Sequence, residues 1–453
     1  MAKSLTQRSS SAPATRVLRA SWAPPASVTA ADIVAASVGL VSAPRFDIAA
    51  REEVFRIETL GLPWDIGGVV YSPIDEEHIP RGADGRRAGI FLLHGGGGDH
   101  RSMDPMARIL SERLGYRVVT MTYPGQLYLP DESRDWPGDT IEPNVEPRTP
   151  IYAIDERVER DEYELVQDRS NPVFRAKYGT LFFLAAKEGT RFHARLASWP
   201  AAFEDAMRES CRRNFPEDMF SIYVHGHSTG GPFAHILLQR VANVAGLIGM
   251  ESSPFGDFFS EMLQQRWDYP FNYITVRTWR DVARYRGPEA GAAGAARLPW
   301  LMEDIFEEWE AGKHEPNIKA QHIVQFASYQ ALRAAARANA ARLGLDAEAT
   351  TLLQDRFEAY PRPLRTPEAR PIPPLLYAIT RGSRDHTAER YRDILLPRLA
   401  QEPVPPKTSL VEFASGVHTY LKPEPELPFG LAPAIANLWH DAIRNGYFLA
   451  PVT

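Results

Sequence analysis

The chain has 453 residues, 44% of them hydrophobic, with a net charge of −6 and one cysteine, Cys211. This is long enough for two cores, or for one core carrying large insertions, and too weakly charged, with no Lys/Arg run, for a phosphate-binding surface or a nucleic-acid partner. A lone cysteine excludes an intrachain disulfide framework and any cysteine-based metal site, and it fits a reducing, cytoplasmic compartment.

Residues 1–50 read as a disordered tail. The first 31 carry Lys3, Arg8, Arg16 and Arg19, many Ser and Ala, and no acid, a composition shared with targeting leaders. "DIVAASVGLVSAP" (Asp32–Pro44) falls short of the roughly 20 apolar residues of a membrane span, so no span is expected. Glu52–Pro73 alternates apolar and polar residues on either side of Gly and Pro, as antiparallel strands at a sheet edge do. "AGIFLLHGGGGDH" (Ala88–His100) is a buried strand running into four glycines, and Met103–Gly115 is a helix ended by glycine. Strands follow at Tyr116–Gly125, Val244–Pro254, Pro373–His386 and Ser409–His418, and helices at Trp199–Phe215 and Ala432–Arg444. Strands alternating with helices predict a mostly parallel central sheet with helices on both faces.

Two segments break the rhythm. Residues 126–198 contain "IDERVERDEYEL", read as a solvated, mixed-charge helix face. Residues 255–372 carry Trp267, Trp279, Trp300 and Trp309 and the helix-forming "ALRAAARANAARLGL". Together they read as a largely helical cap over a core of 51–125, 199–254 and 373–453.

"SIYVHGHSTGGPFAHILLQRV" (Ser221–Val241) carries the chemistry. Ile222, Tyr223 and Val224 suit a buried strand, and Phe233, Ile236, Leu237 and Val241 recur at helical spacing. Between them Gly226 and Gly230 flank Ser228 in a turn so tight that Ser228 must project at the strand end, beside a helix N-terminus. This is the G-x-S-x-G nucleophile elbow in its strand-turn-helix context. A serine hydroxyl is a weak nucleophile and needs a base near neutral pKa, for which His418, after the last strand in "ASGVH", is the candidate. His225 and His227 in the elbow, and His94 in the glycine loop, read as structural. A metal at His94, Asp99 and His100 is disfavoured, because nothing else gathers ligands there. The base needs a carboxylate to hold its tautomer. Asp385 in "RGSRDH" is preferred, with Glu251, ending the strand after the elbow helix, as the alternative.

With "HGGGG", "GHSTG", "GSRD" and "GVH" in this order, the chain resembles the α/β-hydrolase family from about Glu52 onward, outside the two insertions. The resemblance implies that fold, and an oxyanion hole formed by backbone N–H of Thr229 and of Gly96, with Gly95 and Gly97 beside it. It implies no cofactor and a small-molecule, ester-like substrate. The expected activity is serine hydrolysis of a carboxylic ester or lactone through an acyl-enzyme, on an apolar or aromatic substrate. Amidase, thioesterase, acyltransferase and C–C bond hydrolase chemistry use the same triad, and a non-catalytic binding module is the remaining alternative. The oligomeric state is not legible.

Overall fold

A computed structural model describes residues 22–59, 61–95, 98–128, 151–168, 181–187, 190–228, 230–252, 371–383, 386–388, 391–400, 404–425 and 427–449. Its centre is one nine-stranded sheet. In chain order the strands are β1 (Ser27–Val28), β2 (Ile48–Thr59), β3 (Leu62–Pro73), β4 (Arg87–Leu93), β5 (Arg117–Met121), two small hairpins of β6 (Ile151–Ala153) with β7 (Glu156–Arg157) and β8 (Tyr163–Asp168) with β9 (Leu181–Ala186), then β10 (Phe220–His227), β11 (Val244–Met250), β12 (Leu375–Thr380) and β13 (Thr408–Phe413). The sheet order is β1-β13-β12-β11-β10-β4-β5-β3-β2. All neighbours are parallel except β2 on β3 and β3 on β5. The antiparallel edge and the parallel interior both follow the sequence expectation. The central strands are buried along almost their whole length, as a sheet covered on both faces requires.

The covering helices are α1 (Ala30–Ser42), α2 (Asp104–Arg108), α3 (Arg191–Asn214), α4 (Gly230–Arg240) and α5 (Ala432–Arg444). One apolar layer contains Phe203 and Met207 of α3 and Phe233 and Leu237 of α4, against Phe91, Val224 and Leu247 of the sheet. The rings of Phe203 and Phe233 stack at 3.8 Å. The opposite layer contains Ile33 and Leu40 of α1, Met106 of α2, and Ile435 and Trp439 of α5, against Ile90, Ile248 and Val411. Each such side chain contributes on the order of 2 kcal/mol by leaving water.

Three differences separate the structure from the sequence reading. Residues 30–42, assigned to the tail, form α1; Thr29 and Asp32 make a capping box, and Ile33 and Leu40 are buried as α1 packs along α5. The charged run 154–165 is not a helix but β7, a turn at Arg160–Glu162 and the start of β8, because Val158 and Tyr163 turn inward while the charges pair outward. Arg56, for instance, bridges Asp65 and Asp155. The expected helix 103–115 is α-helical only over Asp104–Arg108 and widens into a π-turn at Ile109–Arg113. The cap aromatics Trp267, Trp279, Trp300 and Trp309 lie outside the described residues.

Candidate active site

The parallel register brings the site together. His227 pairs with Met250 across β10 and β11, so the next residues, Ser228 and Glu251, stand side by side at the carboxyl end of the sheet. Open α/β sheets bind their ligands at this end. Met250 pairs with Ala378 of β12, and Thr380 with Phe413 of β13, whose following loop carries His418.

Ser228 and Glu251 both adopt φ in the left-handed region, +52° and +48°. For a residue with a Cβ this costs about 1–3 kcal/mol and persists only where the surroundings enforce it. Here they do. Ser228 N–H donates to the Glu251 carbonyl at 3.2 Å, Glu251 N–H to Ala378 at 2.8 Å, and Ser252 Oγ to the Ser228 carbonyl at 2.8 Å. The turn also needs glycine at its exit. A Cβ on Gly230 would meet the carbonyl oxygens of Leu93 at 2.7 Å and His94 at 2.9 Å.

Ser228 Oγ lies 3.0 Å from His418 Nε2, and His418 Nδ1 lies 3.4 Å from Glu251 Oε2. The Ser228 hydroxyl donates to Nε2, and Nδ1–H points to the carboxylate, a contact that is long for a hydrogen bond. Glu251 is fully buried, and its other oxygen, Oε1, accepts from Thr380 N–H. The preferred acid of the sequence reading, Asp385, lies outside the described residues, and the carboxylate facing His418 is the alternative, Glu251. Thr229, Gly96 and Gly97 also lie outside them. Gly95 backs onto Ser228: a Cβ there would sit 3.2 Å from the Ser228 Cβ.

The other histidines of the motifs hold the frame. His227 Nε2 donates to the His418 carbonyl at 2.9 Å, tying the loop after β13 to the end of β10. His225 accepts from Trp439 Nε1 at 3.0 Å and meets Tyr420 Oη at 2.8 Å. Burial pushes both imidazoles down to a pKa of about 3, so both are neutral. His94 is held by its Nδ1 contact with the Gly95 carbonyl, at 2.7 Å, and by Tyr123 stacked on its ring; burial lowers it to about 4.

Sequence reasoning missed His386 and Tyr391. His386 lies parallel to His418, with ring centroids 5.6 Å apart, and one ligand-capable atom each of Glu251, His386 and His418 lie within 4.8 Å of one another. The His next to "GSRD" was the available signal, but a histidine beside a stronger acid candidate draws no separate reading.

No family model matches the chain, and no curated protein sequence does. Among solved structures, a lipase in its open form is 12% identical with a TM-score of 0.37, over 87% of this chain and 99% of its own. A putative hydrolase from Agrobacterium vitis S4 is 14% identical with a TM-score of 0.36, over 87% and 100%. An esterase from Pyrococcus furiosus is 10% identical with a TM-score of 0.33, over 87% and 93%. At these scores the likeness carries no argument about chemistry, and the assignment rests on this chain's own topology. A mostly parallel sheet with an antiparallel edge, helices on both faces, and a strained serine turn between β10 and α4 give the chain the α/β-hydrolase fold.

Proposed function

We propose that the protein is a serine hydrolase that cleaves a carboxylic ester through an acyl-enzyme, with Ser228 as nucleophile, His418 as base and Glu251 as acid. The observation that carries this reading is the unbroken line from Ser228 Oγ through His418 to the buried Glu251 carboxylate.

In the first step Ser228 Oγ attacks the ester carbonyl carbon and its proton passes to His418 Nε2. The imidazolium so formed is offset by Glu251, whose contact with Nδ1 shortens as charge develops, since hydrogen bonds to ions are shorter and stronger. The oxyanion takes backbone N–H donors, for which Thr229 and the Gly95–Gly97 stretch are the proposed source. His418 then returns the proton to the leaving alkoxide, and the ester C–O bond breaks. Water, deprotonated by His418, attacks the acyl-enzyme and frees Ser228. Thr380 N–H and His418 Nδ1 serve the two oxygens of Glu251 and fix the carboxylate in place.

A panel of p-nitrophenyl esters of rising chain length, run beside lactones and amides, tests the activity and its class. Wild type is expected to turn over esters and to take up an active-serine phosphonate. Ser228→Ala is expected to lose about 10⁴–10⁶ in kcat, retain its fold and lose the label. Retained activity with labelling at another serine would sink the assignment.

A further inference from the structure

Behind the reacting line runs a second chain of polar contacts. His386 Nδ1 lies 2.9 Å from Tyr391 Oη, Tyr391 Oη lies 2.7 Å from the Ser252 carbonyl, and Ser252 Oγ lies 2.8 Å from the Ser228 carbonyl. With His386 beside His418, and His418 on Ser228, these residues close a ring around the site.

The ring has a direction. A carbonyl only accepts, so the Tyr391 hydroxyl proton goes to Ser252, and the Tyr391 oxygen is left to accept. It can accept only if His386 carries its proton on Nδ1. His386 and Tyr391 are both fully or almost fully buried. Burial first, and then the nearby His418 and His227, hold the His386 imidazole well below its ordinary range, so it stays neutral. Its Nε2 therefore presents a lone pair.

We propose that His386 is a positioning residue for the Glu251–His418 pair, and that Tyr391 and Ser252 set it by holding its proton on Nδ1. The inference rests on the hydrolase reading above for its catalytic consequence. The tautomer matters because Glu251 and His386 share a 4.8 Å cluster with His418. With Nδ1 turned to Tyr391, a proton on Nε2 would be the one left to compete with His418 for that carboxylate. The Nδ1–H tautomer has no such proton, so the charge of Glu251 is kept for His418. The titratable groups facing this pair among the described residues are His227 from β10, and His386 and Tyr391 from the segment after β12. His227 is neutral and spends its Nε2 on the His418 carbonyl, which leaves the His386 tautomer as the adjustable element.

Tyr391→Phe tests this, because it removes one hydroxyl and no volume. In histidine-¹⁵N-labelled protein, NMR is expected to show His386 as the Nδ1–H tautomer in wild type and to move it toward Nε2–H in the variant. In the variant kcat should fall about tenfold to a hundredfold, the weight of one hydrogen bond to a charged group, with KM little changed. The acid limb of the kcat/KM profile should move to lower pH, because an imidazolium sharing its carboxylate is easier to deprotonate. His386→Asn keeps a donor near the Nδ1 position and should retain more activity than His386→Leu. An Nε2–H tautomer in wild type overturns the proposal whether or not any substrate is found. So does an active Tyr391→Phe with unchanged kcat and pH limb, or equal losses in the Asn and Leu variants. A wild type that cleaves no ester and takes no phosphonate overturns the hydrolase reading instead, and the NMR result still decides the tautomer.

Discussion

Ser228 and Glu251 are the two non-glycine residues with left-handed φ among the described ones, and they are adjacent across one strand pair. Strain at a serine is expected of an elbow, since it turns the hydroxyl out of the strand. Strain at a buried carboxylate needs its own reason, and the proposed role of Glu251 as the acid facing His418 would supply one. A burden of about 1–3 kcal/mol would be relieved by glycine if the carboxylate did nothing. The acid can therefore be predicted. Glu251→Gln should lose about 10⁴ in kcat with KM nearly constant, the size of loss recorded when a serine protease acid becomes its amide. Asp385→Asn should lose no more than about tenfold. The reverse order in steady-state kinetics of the two purified variants would return the role to Asp385.

The elements carry the site as rigid strand ends, and their close approach is visible in what the glycines exclude. At Gly230 a methyl would press on two carbonyl oxygens at the end of β4, both backbone and unable to yield. Gly230→Ala should therefore destabilise the protein by about 1–3 kcal/mol, the usual cost of overpacking, and should slow phosphonate labelling as α4 backs away from the turn. Urea unfolding and labelling rate read the two effects separately; a variant normal in both would mean that the turn is looser than drawn. Much of this was legible in sequence. The strand-glycine-helix pattern around Ser228 is local, so residue types alone locate it. Ala432–Arg444 coincides with α5 because an amphipathic pattern and a capped end occur together there. The β7–β8 region was misread because charge pattern alone does not separate a helix from a hairpin; buried Val158 and Tyr163 decide it through long-range packing on α3. That Glu251 would face His418 was beyond the sequence for the same reason, and Asp385 lies outside the described residues. It depends on β10–β11 register, which no local pattern states. Tyr391 reaches the site through a backbone carbonyl, a contact that has no sequence signature at all.

At the scale of the molecule, the frame around the sheet is built from histidines held neutral. Burial lowers His225, His227 and His235 to about 3 and His94 to about 4, from an ordinary value of 6.5. These are groups whose folded pKa lies below the unfolded one. Above about pH 6.5 both states bind no proton at them, and their contribution to stability is fully present. As pH falls below 6.5 the unfolded chain takes up protons that the folded chain refuses, and stability drains until the folded pKa values near 4 and 3 are reached. Each such histidine steepens the loss by up to about 1.4 kcal/mol per pH unit. The protein should accordingly lose stability sharply between pH 6.5 and 5, a window above the ordinary range of its carboxylates. His235 offers the clean test, since its Nε2 meets Tyr377 Oη at 3.0 Å and it has no part in the proposed reaction. Urea unfolding at pH 7, 6 and 5 should give a steep decline in wild type. His235→Gln should be less stable at pH 7 but lose stability less steeply, by about one proton's worth, or about 1.4 kcal/mol per pH unit at most. Equal slopes in the two proteins would mean that His235 takes up its proton in the fold, and that its burial is not what sets the acid limit.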